Sequence, residues 1–267
     1  TNKTDSGLDI TYMVDFDTDA GDGSALGTDE NSITIAGGFG KVVLGMDDDA
    51  GDAYNIDESD LIAEDSAPAA TSATIGTSSS ISSDDAMKVA YHLPAMGGLT
   101  AGISHTDRGA VGGTDSTSYG AKYSMSAAGA AITLGYAVVN DENATQDVDQ
   151  ENMGLKIVSG DVSVIISQGG YEASDEDRDN AGASISYKMP NGMTVGAYTF
   201  KSEDDLDAGE EYTRSGVEGQ YTIASGLKAV LSNDDYKYKE GTSDGTNATL
   251  HVDDSGTQSQ LTIQATF

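Results

Sequence analysis

The sequence predicts an all-β fold, a transmembrane antiparallel β-barrel, and three observations carry that prediction. Apolar residues recur with a period of two along most of the chain, while the 3.6-residue period of an amphipathic helix is weak throughout. Connections alternate in kind, a Gly, Pro or Asn turn of two to five residues being followed by a long acidic loop. Short turns at one end and long loops at the other are the sequence signature of barrels that cross an outer membrane. The third observation is the last stretch, Thr257 to Phe267. Leu261, Ile263, Ala265 and Phe267 fall on one parity, and Gln258, Gln260, Thr262, Gln264 and Thr266 on the other. Successive side chains of a strand point to opposite faces, so this ribbon has one apolar and one uncharged polar side. A terminal strand of this kind needs a partner on each side, which closure supplies. Taken alone, this stretch would equally suit an edge strand of a soluble sheet; the remaining chain decides.

In chain order, Leu8, Ile10, Tyr12, Val14 and Phe16 alternate with Asp9, Thr11, Met13 and Asp15. An acidic loop from Asp17 to Glu30 follows. Asn31 to Gly37 then pairs with Gly40 to Met46 through the tight turn Gly37-Gly38-Phe39-Gly40. Asp47 to Ser83 is the longest segment without a period. Beyond it come Met87, Val89, Tyr91 and Leu93, then Leu99, Ala101, Ile103 and His105 after a Pro94 to Gly98 turn. Tyr119 to Met125 and Ile132 to Val138 flank a turn at Ala127 to Gly129; Met153 to Ile157 and Val162 to Ile166 flank Ser159-Gly160-Asp161. Ala183 to Met189 and Met193 to Ala197 flank Pro190-Asn191-Gly192; Val217 to Ile223 and Leu227 to Leu231 flank Ala224-Ser225-Gly226. A polar loop over 237–256 leads to the final strand. About fourteen strands are visible in all, an even number, and strands of about ten residues suit a tilted crossing. A soluble β-solenoid would repeat at fixed length, whereas these loops vary from about ten residues to nearly forty. No linker or change of composition divides residues 1–267, which read as one barrel domain.

Composition agrees. Apolar residues make up 37% of the chain, with 33 Gly, 13 Tyr, 4 Phe and no Trp. A barrel with a wet interior needs apolar groups on only one side of its wall, and the low count fits that. The net charge of −32 repels nucleic acid and anionic lipid head groups and concentrates cations. High acidity also keeps a chain soluble in salt, which a saline habitat would explain as well. Cysteine is absent, which rules out disulfides and thiolate chemistry. No run approaches 18 apolar residues, so no membrane-spanning helix is expected. The chain opens on Thr-Asn-Lys-Thr, so a leader is expected to lie outside it.

The two strand faces differ in charge. Tyr, Met, Leu, Ile and Val dominate one parity, with tyrosines near strand ends. Lys41, Lys88, Lys122, Lys156, Lys188 and Lys228, on six strands, all occupy the other. A charge at a lipid-facing midplane position costs roughly 2–4 kcal/mol, so parity selection has a physical cause. The solvated face of a soluble sheet is the plainer alternative to a lumen wall bearing positive charge. Counter-charge lies after Met46: Asp57, Glu58, Asp60, Glu64 and Asp65 follow an Asp47 to Asp52 cluster, with Tyr54, Ile56, Leu61 and Ile62 interleaved. Such apolar residues suit a loop folded back on a wall with its carboxylates in water. Acids facing lysines across a narrow aperture would orient dipolar solutes and hinder apolar ones.

Other chemistries are weakly supported. Asp47, Asp48, Asp49 and Asp52 offer hard oxygens suited to calcium, without the spacing of a known calcium loop. His92, His105 and His251 form no metal or catalytic spacing, so no enzyme and no required cofactor is expected.

Thr4-Asp5-Ser6-Gly7-Leu8, then Ile33-x-Ile35-x-Gly37-Gly38-Phe39-Gly40-Lys41-Val42-x-Leu44-Gly45, then Gly51-Asp52-Ala53-Tyr54 resemble general diffusion porins of Gram-negative outer membranes, in particular the alphaproteobacterial, purple-bacterial type. Terminal Phe267 matches that family's C-terminal assembly signal. The resemblance implies a passive outer-membrane channel for small hydrophilic solutes and ions. It implies a homotrimer of 16-stranded barrels among outer-membrane lipid and lipopolysaccharide, with the third loop, 47–83, folded into the lumen. The acidic side of the constriction would fall on Asp57, Glu58, Asp60, Glu64 and Asp65. In the family the Thr-Asp-Ser-Gly-Leu motif opens the third strand. The resemblance therefore implies that residues 1–267 lack the family's first two strands, which agrees with fourteen strands rather than sixteen, or that a different closure replaces them. The family's aperture is rich in arginine; here only Arg108, Arg178 and Arg214 occur, and lysine is the point-charge equivalent. The acidity adds an expectation of cation preference. The alternative from another class is an acidic, calcium-stabilised surface-layer or adhesin protein.

Overall fold

A computed structural model describes residues 2–4, 7–17, 27–61, 79–81, 86–107, 115–142, 147–174, 176–206, 209–239 and 253–265. Among them are fifteen strands: β1 (Asn2–Lys3), β2 (Asp9–Asp17), β3 (Gly27–Gly37), β4 (Gly40–Asp47), β5 (Ala86–His92), β6 (Leu99–Thr106), β7 (Asp115–Ala127), β8 (Ala130–Glu142), β9 (Asp147–Ser159), β10 (Val162–Glu172), β11 (Asp177–Lys188), β12 (Met193–Asp204), β13 (Glu211–Ala224), β14 (Leu227–Lys239) and β15 (Asp254–Ala265). They form one sheet in which each strand is bonded to its neighbours in sequence. The expected rhythm is therefore observed, and the first two-residue strand is the addition.

The strands run further toward the long loops than alternation of apolar residues suggests. β9 begins at Asp147 and β11 at Asp177, inside stretches whose acidity reads as loop. Backbone pairing does not need apolar side chains, and carboxylates at a strand end remain in water while the ladder continues. At the opposite ends the turns are tight. Ala128 (φ 51°) and Gly129 (φ 82°) both lie in the left-handed region, as a two-residue hairpin turn with the right-handed twist of its strands requires. Gly45 (φ 137°) lets β4 bend against β3, where any Cβ would strike the carbonyl oxygen of Asn31.

The chain packs as two compact units. The first is Thr1–Asn55, Ile81–Tyr123 and Gly135–Glu151; the second is Ile56–Ser80, Ser124–Leu134 and Asn152–Phe267. Burial in each is inverted relative to a protein folded in water. In the first unit Val89 and Ile103 are exposed (56% and 50%) while Ser104 and Ser118 are buried (1% and 0%). In the second, Ile185, Val217 and Leu231 are exposed while Asn152, Ser202 and Asp234 are buried. Over much of the described sheet one parity is apolar and bare, the other polar and covered. That is the arrangement expected where lipid covers the bare side. Small apolar clusters remain on the covered side: Val43, Ala50 and Ala90, and Ile81, Ala137 and Val139, in the first unit; Phe200, Tyr212 and Tyr238 in the second.

Candidate functional site

The loop after β4 covers part of the polar parity in each unit, and its seat is built largely from small residues on the strands beneath it. In the first unit Asp49 enters beside Lys88 of β5, Nζ to Oδ1 at 2.9 Å, with side chains 3% and 0% exposed. Neither charge reaches water, so each has to be neutralised where it is buried, and the other supplies that charge. The hydroxyl of Ser104 on β6 accepts the Ala50 N–H at 2.9 Å, and that of Ser118 on β7 accepts the Gly51 N–H at 2.9 Å. A 3-10 turn at Asp52–Tyr54 then lays the Tyr54 ring over Gly102 and Gly120, where a Cβ on either strand would collide with it. Tyr54 Oη lies 2.8 Å from His92 Nδ1 at the end of β5, and burial raises the phenol's pKa. Ile81, on the returning limb, packs on Ala137 and Val139 of β8.

The second unit repeats the device. Asn152 of β9 accepts the Ile56 N–H at 3.1 Å and donates to the Ser79 carbonyl at 2.8 Å, tying the two limbs of the loop through one side chain. Ile56 lies against Gly154. Glu58, in the second 3-10 turn (Glu58–Leu61), lies over Gly182 of β11 and accepts hydroxyl bonds from Ser79 at 2.7 Å and Ser167 of β10 at 2.9 Å. Burial pushes its carboxyl up from the ordinary value and the Asp57 charge adds to this, while the hydroxyls of Ser79 and Ser167 pull it down.

These contacts correct part of the expected site. Asp57 and Glu58 are not free carboxylates in open water; each is only 4% exposed, and Glu58 is a fastener. Lys88 is likewise not an open wall charge, being consumed by Asp49. The other wall lysines keep their expected parity: Lys41 and Lys188 are exposed, and Lys122, Lys156 and Lys228 half-buried. Asp60 lies in the second 3-10 turn, whereas Glu64, Asp65 and Phe267 lie outside the described residues. The candidate calcium ligands Asp47, Asp48, Asp49 and Asp52 do not converge, because Asp49 turns to Lys88. Among the described residues no group of three or more His, Asp or Glu side chains could hold a metal ion.

Sequence reasoning missed the seat itself. Its signal was present as Gly and Ser on the polar parity of β6, β7, β9, β10 and β11, at Gly102, Ser104, Ser118, Gly120, Gly154, Ser167 and Gly182. It named Arg178 and Arg214 without placing them, and both stand on that parity of the second unit. Arg178 stacks on Tyr171 at 4.4 Å and pairs with Glu176; Arg214 stacks on Tyr198 at 4.8 Å, with Asp234 at 3.7 Å. The Tyr198 hydroxyl donates to the same Asp234. Both guanidiniums are compensated, at 11% and 10% exposure.

A sheet bare and apolar on one face, with a long loop fastened to its polar face, defines the class of outer-membrane β-barrel channels. The family model for Gram-negative porins matches residues 1–265, and the chain belongs to that family. Its place is therefore the outer membrane. Among solved structures it is similar to the anion-selective porin of Comamonas acidovorans, at TM-score 0.69 and 15% identity over 100% of this chain and 87% of that one. It is similar also to OmpT, an outer-membrane protein of Vibrio cholerae in its trimer form, at TM-score 0.68 and 13% identity over 98% and 87%. A third structure, described only as a porin, gives 0.62 and 18% over 100% and 89%. At these identities the likeness is one of fold. No curated protein matches the chain.

Proposed function

We propose that this porin is a passive diffusion channel for small hydrophilic solutes and ions, preferring cations and acting without a chemical step. The observation that carries the reading is the loop fastened by Asp49, Asn152 and Glu58 to the polar face, since a segment held there narrows an aqueous path. Glu58 serves as an anchor in this reading and Asp57 is buried next to it in the chain. The acids proposed for the rim are Asp60, Glu64 and Asp65, and the bases proposed for the wall are Lys41, Lys122, Lys156, Lys188 and Lys228. Cation preference rests on the charge of −32. The anion selectivity of the Comamonas porin is a property of that protein.

A homotrimer of sixteen-stranded barrels is the assembly proposed, in company with outer-membrane lipid and lipopolysaccharide. The trimer form of the Vibrio cholerae neighbour supports it, and so do strand lengths. β5 has 7 residues, and β4 and β6 have 8 each. At about 3.4 Å per residue and a tilt of about 40° they rise less than the roughly 25 Å of an apolar band. A low wall of this kind is better covered by other copies of the chain than by lipid. Purified protein in a planar bilayer should give stepwise, long-lived ohmic currents; a silent bilayer from folded protein would end the channel reading.

A further inference from the structure

Among the lysines and arginines on the described strands, only Lys201, Lys237 and Lys239 stand on the apolar parity. All three lie in the second unit, on β12 and β14, near the long-loop ends. Register places Lys201, Thr213, Lys237 and Ser255 side by side on four adjacent strands. Two rows nearer the tight turns, the same face opens into an apolar groove of about 590 Å³ lined by Ile185, Tyr187, Val195, Ala197, Val217 and Leu231. Gly219 makes its floor, and a Cβ there would meet nothing within 4 Å.

Lys201 is held by Glu203 at 2.6 Å and Glu211 at 3.4 Å, and Lys239 by Glu211 at 3.4 Å. Asp235, on the same face, accepts the Thr257 hydroxyl at 2.5 Å. Lys237 is exposed and, among the described residues, forms no ion pair. Its neighbours in register are the hydroxyl residues Thr213 and Ser255. From Ala197 to Lys201 is about 13 Å at roughly 3.3 Å per residue, a span that suits an amphiphile with its chain in the groove and its head among the hydroxyls.

We propose that this face seats one phosphate-bearing lipid, an acyl chain lying over Gly219 and the phosphate resting on Lys237 between Thr213 and Ser255. The inference rests on the outer-membrane reading and gives its lipid partner a place. A lysine on a lipid-facing wall is costly unless an anion meets it, and an acidic chain has placed three within one patch.

The test is native mass spectrometry of the delipidated full chain in detergent, with dioleoyl phosphatidic acid and dioleoylglycerol as probes. The phosphate-bearing lipid should be retained about tenfold better, the factor that one charge-assisted contact supplies. Lys237→Gln should erase that preference, and Gly219→Leu should lower retention of both probes. Channel conductance, recorded on the same preparations, should stay unchanged in both variants and reports that they fold. The proposal falls if Lys237→Gln keeps the preference, if millimolar inorganic phosphate displaces the lipid, or if Gly219→Leu dissociates an oligomer without changing retention. Loss of conductance in the unaltered protein with lipid retention intact would strike the channel reading and leave this one standing.

Discussion

Asp49 and Lys88 are each under 4% exposed and 2.9 Å apart, so neither tolerates the loss of the other. Removing one partner of such a pair costs about 3–5 kcal/mol because a bare charge is left buried. Lys88→Met should therefore loosen the entering limb of the loop, seen as raised current noise and faster hydrogen exchange at the Gly51 amide. The double variant Asp49→Asn/Lys88→Met should recover most of that loss, since no unpaired charge is then left buried. Glu58 carries a different signature. Its carboxyl is raised chiefly by burial, so it holds its proton more tightly when seated than when released. Seating is thus favoured at low pH, and that contribution fades as pH rises through the raised value. Exchange of the Ile56 amide, which Asn152 caps, should be slower at pH 5 than at pH 7.5 once intrinsic rates are divided out. Glu58→Gln should flatten that dependence, because an amide can still accept a serine hydroxyl without a charge to bury.

Loop and strand meet through residues that have almost no side chain. A Cβ on Gly154 would run into the Ile56 carbonyl oxygen, and backbone cannot move aside as a side-chain tip can. Gly154→Ala should lift the loop at a cost of about 1–3 kcal/mol, raising conductance while leaving the barrel folded. Thermal unfolding and single-channel recording on one preparation separate those two effects. Strand positions were legible in the sequence because a wall between lipid and water forces alternation on every strand: Leu261 is 66% exposed and its neighbour Gln260 takes the polar side. That parity is open to test. Leu261→Lys should cost roughly 2–4 kcal/mol in urea unfolding from vesicles, and Gln260→Lys little. The long-loop ends of the strands were harder to see, since Asp147 and Asp177 pair in the ladder yet look like loop. The fate of the acids was hidden for a deeper reason. Sequence marks Glu58 as charged, but only the convergence of Ser79, Ser167 and Gly182 from distant parts of the chain makes it an anchor.

For the molecule as a whole the dominant quantity is a charge of −32 carried by 45 acids against 13 bases. Several of those bases are spent locally, Lys88 on Asp49 and Arg214 beside Asp234, so the field any solute meets is more negative than the lysine-bearing wall suggests. A negative field enriches cations at the mouth of an aqueous path and depletes anions, and it does so only over the Debye length. That length is about 10 Å at 0.1 M salt and about 3 Å at 1 M. The reversal potential under a tenfold potassium chloride gradient should therefore carry the cation sign at low salt. It should shrink toward zero when both compartments are raised to molar concentrations at the same ratio. Selectivity set by a contact at the constriction would instead survive high salt, because groups within a few ångströms of the ion are not screened. A cation preference that stays constant from 0.1 to 1 M would thus move the cause from the field of the whole chain to Asp60, Glu64 and Asp65. An anion preference at any salt would mean that the lysine wall, led by Lys41, Lys122 and Lys188, governs passage.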